Sequence, residues 1–285
     1  MVLLDVNFSG GLADAHRLPA YDGAKSLEGI TRSLLIISNF LVEGRVRHRE
    51  FGRVPLTFNI VAQQPGSFQT IFEIAYTTAV IGGPILQEVV TSAASELLAD
   101  LIRTTVKRAT GRDDGSPSPE FIRLDRERGG DLEALVDAVE PALRQSHTVI
   151  NHGVTNITIN NYNYPSLPMA RLDRDTKGYM WDNVIDDAVR IKRFSIASFN
   201  ANQGTGRAFD LEEGRSIPFR LAPDVDRQTV ETLLNSIAHY TRRRRLGDNL
   251  ASAIVILYTC VLSVDGRVKK ITIQKARAEI PELGL

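Results

Sequence analysis

The residues that come closest to a catalytic pattern are Asp14, His16 and Asp22, which follow one another in a short polar stretch near the start of the printed sequence. A carboxylate beside a histidine is an arrangement that general acid–base catalysis uses. The same Asp-x-His spacing between glycines and a proline is typical of a turn, in which the aspartate accepts backbone hydrogen bonds. We therefore predict a non-enzymatic protein and keep an enzyme that uses these three residues as an alternative.

Established motifs give no further catalytic or cofactor-binding candidate. The sequence contains no Walker A, HExxH or GxSxG pattern. Gly204 and Gly206 form a Gly-x-Gly pair, but they lack the flanking strand and helix of a dinucleotide site, so we predict a turn. His147 and His152 belong to a strand-like stretch that places them on opposite faces. Cys260 lies in an apolar run that predicts a strand, so we expect its thiol to be buried and unreactive. We expect neither a cofactor nor a metal.

Two runs of arginine are the candidate ligand-binding residues. The first run alternates along a strand-like stretch and the second closes a helix; they are Arg45, Arg47, Arg49, Arg242, Arg243, Arg244 and Arg245. Such runs contact phosphate groups of nucleic acid or of anionic head groups, although a solvated surface has the same pattern. Because no aromatic residues alternate with the arginines, nucleic acid would be bound without sequence specificity.

An uncharged stretch at residues 148–164 alternates Val and Ile with Asn and Thr, which predicts one or two short strands. Such strands have unpaired edges and little core of their own, so they should pair with another segment. That segment belongs either to one of the chain's own domains or to a second copy of the chain. In the second interpretation, the oligomer contacts are made by Val154, Ile157, Ile159 and Asn160.

Residues 79–102 are dominated by apolar and small side chains, and Pro84 predicts where a helix begins. One face of this helix carries Val89, Ala93 and Leu97. The uncharged part, residues 74–87, is interrupted by Gly-Gly-Pro and is shorter than the roughly 20 apolar residues of a membrane span. We predict a helix at residues 79–106 that packs in a core or on a partner. A helix that lies on a membrane surface is the alternative.

The composition is that of an ordinary soluble protein, with 285 residues, 43% of them hydrophobic and 24% charged. This length suits two domains. Lys and Arg number 34, as do Asp and Glu. The resulting zero net charge excludes a strongly basic protein that coats nucleic acid with its whole surface. A single cysteine excludes an internal disulfide framework, and the first residues lack the basic region of a signal peptide. We expect a cytoplasmic protein, or a peripheral one at the inner membrane.

The hydrophobic patterns predict an α+β fold, with a small N-terminal sheet and helices followed by a β-rich C-terminal domain. Leu4, Val6 and Phe8 alternate as in a strand, and apolar residues recur at helical spacing over residues 27–41, with Ser26 as the N-cap. In the second half, Asp265-Gly266 predicts a hairpin after an apolar strand.

These patterns divide the chain into four predicted parts. An N-terminal α+β domain occupies residues 1–110, and a linker with a short acidic helix occupies residues 111–147. An Asn-rich β interaction element follows at residues 148–170. Residues 171–285 form the β-rich domain, a curled sheet or small barrel with one long helix.

Several segments resemble a known group of sequences. They read SGGLADAHRLPAYDGAKSLEGITRSL, AQQPGSF and NITINN in the first half, and GRSIPFRL and DGRVKKI in the second. Together they resemble an uncharacterised bacterial family with paired domains of unknown function, which is associated with phage-defence neighbourhoods. The resemblance implies a role in antiviral defence, and it brings no activity and no catalytic residues with it.

These observations predict a homo-oligomeric, non-enzymatic binding or assembly component of a bacterial antiphage defence system. It would recognise a second protein of that system or an anionic ligand, with Arg242, Arg243, Arg244 and Arg245 as the main ligand-binding run. The alternative from a different class is an effector that perturbs membranes when the helix at residues 79–106 is released.

Overall fold

Helices and strands occur in both halves of the chain, so the predicted α+β fold class is confirmed. The computed structural model describes residues 2–47, 56–61, 68–76, 91–112, 119–162, 168–213, 215–247, 251–263 and 266–283. The chain divides into two compact units, Met1–Trp181 and Asp182–Leu285.

A five-stranded antiparallel sheet forms the framework of the first unit. In chain order its strands are β1 (Val2–Ser9), β2 (Leu56–Val61), β3 (Phe68–Tyr76), β4 (Asn156–Asn161) and β5 (Ala170–Leu172). Their spatial order is β2-β3-β1-β4-β5. Leu4, Val6 and Phe8 are buried in the main hydrophobic core, so the residues between them point to the other face of the sheet.

Four helices accompany this sheet: α1 (Ala20–Glu43), α2 (Thr91–Thr110), α3 (Pro119–Ser146) and α4 (Arg174–Trp181). Helices α1 and α3 approach most closely at Gly29, where a Cβ atom would lie 2.5 Å from the carbonyl oxygen of Ala142. A larger residue at position 29 would push the two helices apart. The predicted N-cap Ser26 lies inside α1 instead, where its buried hydroxyl accepts a hydrogen bond from the backbone N–H of Val149 at 3.0 Å.

The described part of the predicted helix at residues 79–106 is the first four turns of α2, and residues 77–90 lie outside the described residues. Leu97, Leu101 and Ile102 are buried in the core of the first unit. This part of the helix therefore packs in a core, as the first interpretation predicts. Within the described ranges, no helix is both long and apolar enough to cross a membrane.

The Asn-rich segment belongs to the central sheet and does not form a separate element. Strand β4 pairs with β1 on one side and with β5 on the other. The side chains assigned to oligomer contacts are buried within the unit, with Val154, Ile157 and Ile159 at most 2% exposed and Asn160 9% exposed. The assignment of these four residues to contacts with a second copy is therefore corrected, because both strand edges and their side chains are used inside the subunit.

The domain boundaries also differ from the predicted ones. Strands β4 and β5 and helix α4 complete the first unit, which therefore extends to Trp181 instead of ending near residue 110 or 170. The predicted short acidic helix begins earlier, at Pro119, and continues to Ser146 as α3. Of the predicted linker, residues 113–118 lie outside the described residues.

The second unit is a closed ring of strands with one long helix. Its elements are β6 (Val184–Asn200), β7 (Thr205–Asp210), β8 (Arg215–Leu221), α5 (Arg227–Leu246), β9 (Ala253–Leu262) and β10 (Val268–Arg277). The strand order is β10-β8-β7-β6-β9, and the ring closes because β9 also pairs with β10. The pair β10–β8 is parallel, and the other neighbours are antiparallel. The ring and its helix agree with the predicted C-terminal domain, although Asp265 of the predicted turn lies outside the described residues.

Candidate functional site

The exterior of the ring over β7 and β8 is the best-defined candidate binding face. Ala208, Ile217 and Phe219 pack in the ring's core, so their neighbours along each strand point outward. The strand register arranges these outward residues in rows across neighbouring strands. We call this set the ring face; it comprises Asn200, Thr205, Arg220 and Thr272 in one row, Ser198, Arg207 and Pro218 in the next, and Phe209 and Ser216 in the third. The next residue of the third row, Ser195, is 1% exposed and donates a hydrogen bond to Ser252, so it is covered and does not belong to the face.

The ring face is basic and contains no carboxylate. Arg220 is exposed, and its Nε donates a hydrogen bond to the Thr272 hydroxyl at 3.2 Å. Arg207 is only 7% exposed and donates to the carbonyl oxygen of Ser216 at 3.2 Å, so its guanidinium is held against the sheet. Lys270 lies two positions before Thr272 and points to the same side of β10, which extends the basic surface. Arg220 and Lys270 are therefore the cations of this face that a ligand could reach.

Three acidic residues surround Lys192 at the end of the β7–β8 hairpin. Asp210 is 1% exposed, and its Oδ2 lies 2.7 Å from Nζ of Lys192; Glu213 and Glu212 lie 3.2 Å and 3.3 Å from the same atom. Burial lowers the pKa of Lys192, but the hydrogen bonds to Asp210 and Glu213 raise it by a larger amount. The pKa of Lys192 is therefore above its ordinary value. Lys192 is therefore charged and offsets one of the three carboxylate charges at this end of the hairpin, which lies outside the ring face.

The first predicted arginine run is largely paired within its own loop. Glu43, at the end of α1, accepts hydrogen bonds from Arg47 and, at 3.1 Å, from Nε of Arg45. The hydrogen bond from Arg47 is the main reason that the pKa of Glu43 is lowered. Arg49 lies outside the described residues. The structure therefore brings Arg45 and Arg47 together around a carboxylate, which reduces their attraction for an anionic ligand.

The second predicted run lies at the C-terminal end of α5. Arg242 and Arg243 are exposed there, and the side chains of Arg244 and Arg245 lie outside the described residues. Gly247 ends the helix in the left-handed conformation, with φ of 73°. Cations at this position interact favourably with the helix dipole, so the run has a structural role whether or not a ligand is bound.

Asp14, His16 and Asp22 are not joined by any hydrogen bond or ion pair among the described residues. Asp14 accepts a hydrogen bond from the backbone N–H of Gly10 at 2.7 Å, which is the turn interaction that the sequence spacing also predicts. His16 is exposed and follows a short 3₁₀ helix in the left-handed conformation, with φ of 58°. Asp22 faces a different histidine, with its Oδ2 3.4 Å from Nδ1 of His152.

A buried histidine network lies where α3 meets α4. His147 is fully buried, its Nδ1 is 2.7 Å from the carbonyl oxygen of Leu143, and its Nε2 is 2.9 Å from the hydroxyl of Thr176. Both ring nitrogens are therefore engaged inside the unit.

The described residues contain no cluster of three or more His, Cys, Asp or Glu side chains that could hold a metal.

The ring face was not predicted from the sequence, although a local pattern for it was present. In the segment of β7, Arg207 alternates with Gly206 and Ala208, and in β8 Arg220 follows Phe219. A basic residue between small or apolar ones is typical of the solvent side of a half-buried strand. What no local pattern indicates is that these outward positions line up across β10, β8, β7 and β6, because that depends on the closure of the ring.

Comparisons with known proteins match each half of the chain separately. Residues 4–119 match the Domain of unknown function (DUF7946), and residues 188–277 match the Family of unknown function (DUF7947). No curated protein and no solved structure matches the chain. The first match lies within the first unit and the second covers most of the ring. The chain is therefore similar to two adjacent families of unknown function, which supports the paired arrangement that the sequence resemblance implies.

Proposed function

We propose that the chain is a non-enzymatic binding protein whose ring face holds single-stranded nucleic acid without sequence specificity. The observation that carries the proposal is the segregation of charge: Arg207, Arg220 and Lys270 point outward over the ring, while Asp210 points inward and is paired with Lys192. A positive groove or face without carboxylates attracts the phosphate backbone regardless of base sequence. Phe209, partly exposed on the same face, offers a ring on which a base can stack.

The strand order supports the same proposal by analogy. A five-stranded ring in which the third and fifth strands run parallel, and in which a helix joins the third strand to the fourth, resembles the OB-fold. Proteins of that fold bind oligonucleotides on the face of their second and third strands, which correspond to β7 and β8. Because one fold hosts many functions, the analogy adds to the charge argument and does not replace it.

The proposal predicts salt-dependent binding of a single-stranded oligonucleotide. We expect the full chain to bind a fluorescent oligothymidine in an anisotropy titration, with an affinity that falls as salt rises. The double variant Arg220→Ala/Lys270→Ala should bind more weakly and reduce the slope of log K against log salt by about 1.4, because each lost phosphate contact removes about 0.7.

The matched control is Arg227→Ala, which removes an equally long cation from the N-terminal end of α5. Its side chain is 92% exposed and pairs with Glu231 of the same helix, and it is not one of the ring-face residues. This variant should retain the wild-type affinity and slope. Equal losses in the double variant and the control, or no oligonucleotide binding by the wild-type chain at low salt, would contradict the proposal.

We further propose that the chain acts in a bacterium as part of an antiphage defence system; the support is the resemblance of its paired domains. Expression of the chain together with its genomic neighbours should lower the plating efficiency of phage on a sensitive host. The Arg220→Ala/Lys270→Ala variant should restore plaque numbers, since it lacks the ring-face cations, whereas Arg227→Ala should still protect. Equal plaque counts with and without the wild-type proteins, across a panel of unrelated phages, would reject this role.

A further inference from the structure

In the middle of the first unit's sheet lies a buried carboxylate that has no partner among the described residues. Asp5 is the central residue of β1 and alternates with Leu4 and Val6, so its side chain points to the sheet face opposite the main core. It is only 8% exposed, and its Oδ1 is buried with no hydrogen-bond partner among the described residues. Buried carboxylates in folded proteins are normally hydrogen-bonded or paired, so this oxygen requires an explanation.

A second unpartnered oxygen lies beside it. Asn7 is two positions further along β1 and shares the same sheet face, and its Oδ1 is likewise buried without a partner in the described part of the chain. Across β4, the residues opposite Asp5 and Asn7 are Asn160 and Thr158. Two acceptor oxygens therefore face the same side of the sheet, about 7 Å apart as judged from the rise of a strand. We call Asp5, Asn7, Thr158 and Asn160 the acceptor cluster.

The chain's own nearby cation does not satisfy the acceptor cluster. Arg171 of β5 pairs with Thr158 in the sheet register and so lies on the same face, but its Nε is 3.4 Å from Oδ2 of Asp173. At the other end of the face, Ser9 donates to the side-chain oxygen of Asn156 at 2.8 Å. Polar groups around the cluster are thus paired with one another, while Asp5 and Asn7 retain free acceptor capacity.

We propose that the acceptor cluster binds a guanidinium group. A planar guanidinium carries five N–H donors in a fixed fork, so one such group can donate to two separate side-chain oxygens while its charge offsets that of Asp5. Zinc is disfavoured because the acceptor cluster contains no His or Cys and only one carboxylate. A compact ammonium group fits less well, since it is a point charge and cannot span acceptors in a plane.

The cost of the unpartnered carboxylate gives the first test, which needs no ligand. A residue that is retained for binding lowers the stability of the free protein. We therefore expect Asp5→Leu to raise the Tm by a few degrees, because leucine would pack beside Ile71 and no charge would be buried. The matched control is Gln69→Leu on the same face of β3, which should change the Tm much less. A lower Tm for Asp5→Leu than for the wild type would overturn the proposal, because Asp5 would then be structural.

The second test uses defined guanidinium probes on the full chain. Agmatine and the tripeptide Gly-Arg-Gly should raise the Tm in a concentration-dependent manner, and 1,5-diaminopentane, which carries ammonium groups, should have a much smaller effect. Asp5→Asn, which keeps the shape of the side chain and removes its charge, should abolish the shift. Preference for agmatine would identify a free small molecule as the source of the guanidinium, and preference for the tripeptide would identify an arginine side chain.

Three outcomes would reject the guanidinium site: no shift with either probe, an equal shift with 1,5-diaminopentane, or an unchanged shift in Asp5→Asn. The result is independent of the proposed nucleic-acid binding, because the acceptor cluster belongs to the first unit and the ring face to the second.

Discussion

Lowering the pH from 7 to 4.5 should destabilise the first unit strongly, because His147 must remain neutral in the folded chain. Burial of its ring is the main cause that lowers its pKa to about 4, and the nearby charge of Lys177 acts in the same direction. In the neutral ring, Nδ1–H donates to the carbonyl oxygen of Leu143, and Nε2 is free to accept from the Thr176 hydroxyl. Protonation would place an unpaired charge in the core.

The direction of the pH effect follows from proton linkage. The unfolded chain takes up a proton at its ordinary histidine pKa of 6.5, whereas the folded chain takes it up only near 4. Between these values the unfolded state binds more protons, so the free energy of unfolding falls by up to about 1.4 kcal/mol for each unit of pH lost, and by about 3 kcal/mol in total. The stability that neutral His147 provides is complete above pH 6.5 and is lost as the pH falls towards 4.

Denaturant unfolding of the wild type and His147→Asn at several pH values between 7 and 4.5 measures this effect. The variant should be less stable at pH 7 and should lose most of the pH dependence. His16→Asn is the matched control, since His16 is exposed, and it should retain the wild-type slope. A slope in His147→Asn equal to that of the wild type would show that other groups cause the pH dependence.

Replacement of Asp226 by alanine should cause the largest loss of stability in the second unit. Asp226 is the N-cap of α5, and its Oδ1 accepts a hydrogen bond from the backbone N–H of Thr229 at 2.7 Å. The same carboxylate pairs with the guanidinium of Arg277, whose side chain is 7% exposed. Asp226→Ala therefore removes a helix cap, worth about 1 kcal/mol, and leaves a buried cation without its counter-charge.

We expect a total loss of about 1–2 kcal/mol, because the largely buried guanidinium of Arg277 loses its counter-charge while the 43% exposed carboxylate of Asp226 is screened by solvent. Asp226→Asn keeps a side-chain oxygen for the cap and loses the charge, so the difference between the two variants separates the contributions. Asp224→Ala, an exposed aspartate two positions earlier, should be nearly neutral. Equal stability of Asp226→Ala and Asp224→Ala in urea unfolding would contradict the assignment.

The pair also has a defined pH dependence. Hydrogen bonds from Arg277 and then Thr229 hold the pKa of Asp226 well below its ordinary value of 3.8. The folded chain therefore binds this proton less readily than the unfolded chain does, and the stabilisation is present above the ordinary value and is lost as the pH falls below it. This window lies below that of His147, so the two effects can be separated by pH.

Elements that depend on local pattern were predictable from the sequence, and those that depend on distant pairing were not. The helix at residues 27–41, the cap at Asp226 and the apolar strand β9 follow from spacing within a few residues. The partner of β4 does not, because its alternating Asn and Ile residues fit any sheet edge. Ser26 resembles an N-cap in sequence, but α1 begins at Ala20, so Ser26 is an interior residue whose hydroxyl accepts a hydrogen bond from Val149.

The same distinction applies to the candidate sites. The alternation of Asp5 with Leu4 and Val6 already predicts its sheet face, but nothing local indicates that its oxygen lacks a donor. The pairing of Arg47 with Glu43 is a contact between residues four positions apart and could have been predicted. The arginine runs were selected for their density of charge alone, and density does not reveal which charges are already neutralised.

The pairing of β1 with β4 determines when and how the first unit can form. Ser9 contacts Asn156 across 147 positions of sequence, so β1 can complete its pairing only after β4 has been synthesised. A fragment ending at residue 119, where the first family match ends, contains β1 but neither of the strands that cover its far side. Such a fragment would expose one edge of β1 and part of the core, whereas a fragment that extends to Trp181 contains all five strands of the sheet.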